Sequence, residues 1–273
     1  MQERPTVLLP LQVLEGESIP NGVPELLANA HVVLLGYHVV PDQTATDQAR
    51  SQFEERAQSR LEESETILTD AGATVERRLV FTHEGQQTID RVNREHDCLA
   101  VLVPNSTTAV ENVLVPVRGV VGTDRFVRLL SGLFAPADSE GVSSRVRSAL
   151  ARGKDRSPGT NITLYHLAAE DETDEDVELL LEGIATRLEE AGIESEAIEF
   201  VIERDGSPQD AIVDAGDEYD VVVMGESDPS LATFVFGMRA EQVAEQFFGP
   251  VFVVQREKPT GDDEEPTETT EQE

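Results

Sequence analysis

At 273 residues the chain has room for two ordinary domains or one large one. Hydrophobic residues make up 39%, enough for a packed core, which excludes a wholly disordered protein. The 54 acidic against 21 basic residues give a formal net charge of −33, which argues against a sequence-independent nucleic-acid binder, since that needs a basic stripe.

Acid is spread along the chain, through stretches such as 47–68 and 173–191 as well as the tail, and Lys154 and Lys258 are the only lysines. Self-repulsion on this scale opposes compaction in dilute buffer. In about 1 M salt, screening shortens to roughly 3 Å and the penalty fades. The surface therefore points to a cytoplasm of molar salt, as in a halophile. One cysteine, Cys98, excludes an internal disulfide framework and, beside the apolar run 99–103, reads as a buried inert thiol. No apolar run reaches 18 residues, so no membrane insertion is expected, and residues 7–14 read as a strand rather than a secretory leader.

In chain order, 6–14 is a buried strand and 19–30 a modest helix with Pro20 and Pro24 near its start. Residues 31–40 are a second buried strand, apolar on both faces as parallel sheets require. A long charged helix follows over 44–71, with Phe53, Ala57, Leu61, Ser64, Ile67 and Leu68 at helical spacing and Gly72 as its stop. An edge-like strand (74–82), a short helix (85–96) carrying Ile89 and Val92, and a buried strand (98–103) complete this series.

The pattern then restarts. Residues 112–117 (NVLVPV) parallel 7–13 (VLLPLQV), each with an internal proline, and 123–134 is the helix after them. A polar insertion, 135–160, contains a short helical piece at 142–151 and gathers Arg145, Arg147, Arg152, Lys154 and Arg156. Its plain reading is a loop neutralising acidic neighbours; the sharper one is a docking site for a partner or an RNA. Residues 162–168 repeat the Tyr-His dipeptide of the first half, Tyr165-His166 against Tyr37-His38. The acidic helix 174–191 ends at Gly192 as the first long helix ends at Gly72. An edge-like strand (195–202), a short helix (208–215) capped by Ser207, a buried strand (220–224), a helix (239–248) and a last strand (251–255) finish the second half.

Two halves with the same order of elements indicate an internal duplication. Alternating strands and helices build parallel βαβ units. Six residues, 106–111, separate the fourth strand from the restart, so the first half lacks a terminal helix and strand. The expected architecture is α/β, with two tandem doubly wound parallel-sheet domains, the first truncated: residues 1–110, then 111–258 with the insertion, then an acidic tail, 259–273.

Residues 112–257 resemble the universal stress protein (UspA-like) domain, through NVLVPVRG at 112–119, YDVVVMGES at 219–227 and GMRAEQVAEQFFGPVFVVQ at 237–255. Residues 6–105 look like a truncated copy. The whole is similar to a tandem-domain universal stress protein of the haloarchaeal type. The resemblance implies the adenine nucleotide alpha hydrolase-like fold, a five-stranded parallel sheet ordered 3-2-1-4-5, and dimerisation commonly through the last strand. It implies a homodimer through strand 251–255 or a pseudo-dimer of the two halves, acting on a protein partner in the cytoplasm, with no DNA.

ATP-binding members carry a glycine loop after the fourth strand, closed by a Ser or Thr at the helix N-terminus. Carried over, Gly225 takes the first glycine position, Asp228 stands at the second, Gly237 lies one residue before the third, and Met238 replaces the hydroxyl residue. Where the family has an acidic residue after the first strand, this chain has Arg118-Gly119. Gly225, Gly237, Met238 and Arg118 are thus the candidate nucleotide-binding residues, in a degenerate loop. A carboxylate about 4 Å from a phosphate charge costs roughly 4 kcal/mol at an effective dielectric near 20. Asp228 and Glu226 could hold Mg²⁺ beside a nucleotide, or pair with Arg118 and Arg239.

No catalytic residue, cofactor or metal is expected: the chain has no Ser-His-Asp order and no metal-ligand spacing. The resulting expectation is a non-enzymatic stress-response or regulatory module acting through dimerisation and partner binding. The alternatives are an ATP- or AMP-binding regulator, a weak ATPase using the shortened loop, and a soluble regulator of a transporter.

Overall fold

The structure, a computed structural model, describes residues 4–117, 122–135, 159–169, 171–204, 218–225 and 249–255. Strands β1 (Thr6–Gln12), β2 (His31–Val39), β3 (Thr74–Thr82) and β4 (Ala100–Val103) belong to the first half. Strands β5 (Asn112–Pro116), β6 (Asn161–Leu167), β7 (Ile198–Glu203), β8 (Val221–Gly225) and β9 (Val251–Val254) belong to the second. Between them lie helices α1 (Val23–Leu26), α2 (Thr46–Ala71), α3 (Gly85–Glu95), α4 (Thr123–Phe134) and α5 (Asp174–Glu190).

All nine strands form one sheet, ordered β3-β2-β1-β4-β9-β8-β5-β6-β7. Pairings within each half are parallel, as continuous apolar strands covered by helices should be. Among the described residues, the single antiparallel junction joins the halves: Ala100–Val103 of β4 lie opposite Val254–Val251 of β9. On its other side β9 runs parallel to β8. Counted outward from β9, both flanks give the fourth, first, second and third strand of their own half.

This corrects the expectation of a homodimer through strand 251–255. Both hydrogen-bonding edges of β9 are filled within the chain, so a second copy finds no ladder there. The pairing expected between copies occurs between halves. The strand missing from the first half is supplied by the second, since β4 takes β9 as its outer neighbour.

The core follows the sheet. Val7, Leu9, Val32, Leu34, Leu102, Val113, Ile162, Val223 and Phe252 are fully or almost fully buried in one continuous cluster running across both halves. Helix α4 reinforces the junction from the second half. Its Arg125, 6% exposed, donates from Nη2 to the Cys98 carbonyl at 2.5 Å and from Nη1 to Asp97 Oδ1 at 3.3 Å. Gly132 of the same helix lies against Pro5, so close that a Cβ there would sit 2.6 Å from Pro5 Cδ.

Local departures have local causes. The helix expected over 19–30 is one turn, because Gly22 adopts φ +84° and the helix can begin only at Val23. The strand expected from Cys98 begins at Ala100, after Asp97 takes φ 45°. The strand expected from Ser195 begins at Ile198, behind a 3-10 turn over Ser195–Ala197. In α2, Ala57, Leu61, Ser64 and Leu68 are buried as the spacing implied, whereas Ile67 is 48% exposed. Gly72 and Gly192 stand at the ends of the two long helices, both with positive φ. The expected helices at 142–151, 208–215 and 239–248, the basic insertion and the tail lie outside the described residues.

Candidate functional site

In an open α/β sheet, ligands bind beyond the carboxyl ends of the strands where the winding reverses. In the second half that point lies between β5 and β8, since the chain leaves β5 for β6 on one side and returns to β8 on the other. In the first half it lies between β1 and β4. The antiparallel β4–β9 junction sets the two crevices at opposite ends of the sheet.

Of the candidate nucleotide-binding residues, Gly225 is described. It ends β8, half-buried, at the mouth of the second crevice and paired with Val254. Arg118, Gly237 and Met238 lie outside the described residues, as do Glu226, Asp228 and Arg239.

The described wall of this crevice carries a polar network. His166, on β6, is 1% exposed; its Nδ1 donates to the Val117 carbonyl at 2.8 Å and its Nε2 lies 3.1 Å from Glu172 Oε2. The same Glu172 oxygen accepts the Ala169 N–H at 2.7 Å. That backbone hydrogen bond, and then His166, hold the Glu172 carboxyl below its ordinary value. Arg204 closes the loop, donating through both terminal nitrogens to the Glu172 carbonyl at 3.2 Å and to Asp174 Oδ1 at 2.5 Å.

Tyr165 takes the opposite face of β6, as a strand alternates. It packs with Leu114, Val222 and Met224, and its hydroxyl donates to Glu203 Oε2 at 2.9 Å. Burial, followed by that carboxylate, raises its ionisation well above the usual phenol range. The other dipeptide shares the strand position but not the partners. His38 sits edge-on to Phe53 and Phe81, and Tyr37 packs against Leu8, Val33 and Leu35. Shared packing therefore accounts for the repeat in part, while the hydrogen-bonded network belongs to His166. A glutamate six residues after a strand histidine was the available sequence signal, and nothing at that spacing marks it out in so acidic a chain.

The first crevice is acidic. The Gln12 N–H donates to Glu17 Oε2 at 2.6 Å. With its amide nitrogen turned to Glu15, at 3.0 and 3.1 Å, the Gln12 side-chain oxygen accepts the Tyr37 hydroxyl at 3.2 Å. Burial raises the Glu17 carboxyl, and burial with the Glu17 charge pushes Tyr37 up to about 12. The chain leaving β4 crosses back over this end, where the Thr107 N–H donates to the Asn21 carbonyl at 2.9 Å. Cys98 is fully buried and unpaired with any other cysteine, and burial pushes its thiol up to about 12, which suits packing rather than nucleophilic chemistry. Among the described residues, no helix is long and apolar enough to cross a membrane, and no group of His, Cys, Asp and Glu has the placement to hold a metal ion.

Sheet order and crevice position define a doubly wound α/β protein. Residues 146–255 match the model of the universal stress protein family. A universal stress protein from Archaeoglobus fulgidus DSM 4304 is similar over nearly the whole length, with 16% identity, a TM-score of 0.55, and coverage of 92% of this chain and 98% of that one. It shows the same fold across both halves. A universal stress protein in complex with cAMP has 18% identity over 55% of this chain and 100% of its own, with a TM-score of 0.34. One from Archaeoglobus fulgidus in complex with dAMP has 20% identity over 54% and 99%, with a TM-score of 0.31. No curated protein matches the sequence.

Proposed function

We propose that this protein is a non-enzymatic stress-response or regulatory module of the universal stress protein kind, working by presenting its joined halves to a protein partner in a cytoplasm of molar salt. The observation that carries the reading is β9, which completes the sheet of its own half and takes the place of the strand missing from the other. A chain that has internalised its pairing strand offers a permanently assembled surface. The side chains at the strand ends favour the same reading. Glu15 and Glu17 gather just after β1 in the first crevice, and any carboxylate brought to about 4 Å from a phosphate charge costs about 4 kcal/mol. In the second, His166, Glu172 and Arg204 are engaged with one another.

A nucleotide-binding regulator is the competing reading, favoured by Gly225 standing at the winding reversal of β5 and β8. Calorimetry with ATP, ADP, AMP and cAMP in about 2 M KCl, with and without Mg²⁺, separates the two, the salt being chosen to screen the acidic surface. The expected result is no heat of binding and no phosphate release. Micromolar affinity abolished by Gly225→Val would replace the assembly reading with the nucleotide one. Turnover of ATP would overturn the non-enzymatic reading outright.

A further inference from the structure

β7 closes one end of the sheet and, among the described residues, pairs on one side only, with β6. The Ala168 N–H donates to the Glu203 carbonyl. Residues of odd number in β7 therefore turn their peptide groups toward β6, and by the alternation of a ladder Ile198, Phe200 and Ile202 turn theirs outward. The side chains on these outward positions are apolar: Phe200 is 41% exposed, Ile202 37%, and Ile198 half-buried. The other end of the sheet is built differently. On β3, Arg77 occupies an outward position and bridges to Glu62 at 3.2 Å and Glu65 at 3.0 Å, while Arg78 bridges to Glu76 at 2.6 Å. Such charges are the usual guard against edge-to-edge pairing. Ile198–Glu203 contains no lysine, arginine or proline.

We propose that β7 is the edge through which two copies of this chain pair, antiparallel, about a two-fold axis at Phe200. The register follows from the charges. Centred on Phe200, Ile198 lies opposite Ile202 of the second copy, Phe200 opposite Phe200, and Ile202 opposite Ile198, with all the outward peptide groups bonded. On the reverse face Glu199 meets Val201, so no two carboxylates oppose. Centring one residue later would set Glu199 against Glu203, a repulsive cross-strand pair. The axis at Phe200 thus makes the edge self-complementary, and a two-fold contact closes instead of propagating. β9 is filled and β3 is guarded, which leaves β7, among the described residues, as the edge open to a second copy. Because each copy carries a net charge of −33, pairing requires the screening of molar salt.

Sedimentation of the full chain in about 3 M KCl, where charges are screened within a few ångströms, tests this. The wild type and Leu179→Lys, which alters an exposed leucine on α5, are expected to be dimers, and Phe200→Lys a folded monomer that keeps a cooperative thermal transition. Phe200→Cys is expected to cross-link into dimers with a short bismaleimide while Leu179→Cys does not; buried Cys98 contributes no background. A monomeric wild type at high micromolar concentration overturns the proposal, as does a Phe200→Lys protein that remains dimeric or a Phe200→Cys protein that fails to cross-link.

Discussion

Phe252→Ala tests whether β9 joins the two halves into one folding unit. Phe252 is fully buried at the middle of the strand, opposite Leu102 on the first-half side and Val223 on the other. A buried phenylalanine removes about 150–250 Å² from water. At about 25 cal/mol per Å² this is roughly 4–6 kcal/mol, part of which the remaining methyl retains. Truncations of this kind cost about 3–5 kcal/mol once the cavity is included. The assay is denaturant unfolding in molar KCl, followed by tyrosine fluorescence and far-UV circular dichroism. The wild type should unfold in one transition, with both probes coincident. The variant should move that whole transition by about 3–5 kcal/mol, and Ile67→Ala, at a half-exposed position on α2, should move it by no more than about 0.5 kcal/mol. Two separated wild-type transitions, only one of them shifted in Phe252→Ala, would refute the shared-strand reasoning.

Gly22→Ala should destabilise by about 1–2 kcal/mol from left-handed strain alone, and by more because the new Cβ would lie 2.2 Å from the Thr107 carbonyl oxygen; a thermal melt reads this. The Glu172 carboxyl, held low by Ala169 N–H and His166, contributes stability that is full above the ordinary carboxylate value and is lost as pH falls through the depressed folded value. Stability measured from about pH 6 down to about pH 3 should therefore decline less steeply in Glu172→Gln than in the wild type. Cys98 should resist thiol reagents at neutral pH and react at the rate of unfolding, so fast labelling of the folded protein would contradict its burial. Lowering KCl from molar to millimolar should lower the melting midpoint; a protein most stable in dilute buffer would remove the molar-salt inference.

Much of the fold was legible because its strands are long apolar runs and its helices carry clear stops. Thr74–Thr82 and Thr123–Phe134 fall where periodicity placed them. The partner of strand 251–255 was not legible, since any apolar strand can fill any apolar edge and nothing local in Val-Phe-Val-Val distinguishes β4 of the same chain from a second copy. The clue lay elsewhere, in the six-residue gap at 106–111 that deprives the first half of its own last strand. The second crevice was half legible: Gly225 stands at the strand end, whereas the His166–Glu172–Arg204 network depends on where the loops after β6 and β7 turn, and that is set by tertiary packing.

The shared strand also sets a timetable for synthesis. β4 ends at Val103 and β9 begins at Val251, about 150 residues later. At roughly 5–20 residues per second the outer edge of β4 emerges about 7–30 s before the strand that covers it. Through that interval the nascent first half carries an open apolar ladder, Ala100–Val103, that can be met by a chaperone or a neighbouring chain. Stalled nascent chains ending near residue 220 should be cut by protease around β4, and chains extended past β9 should be protected there.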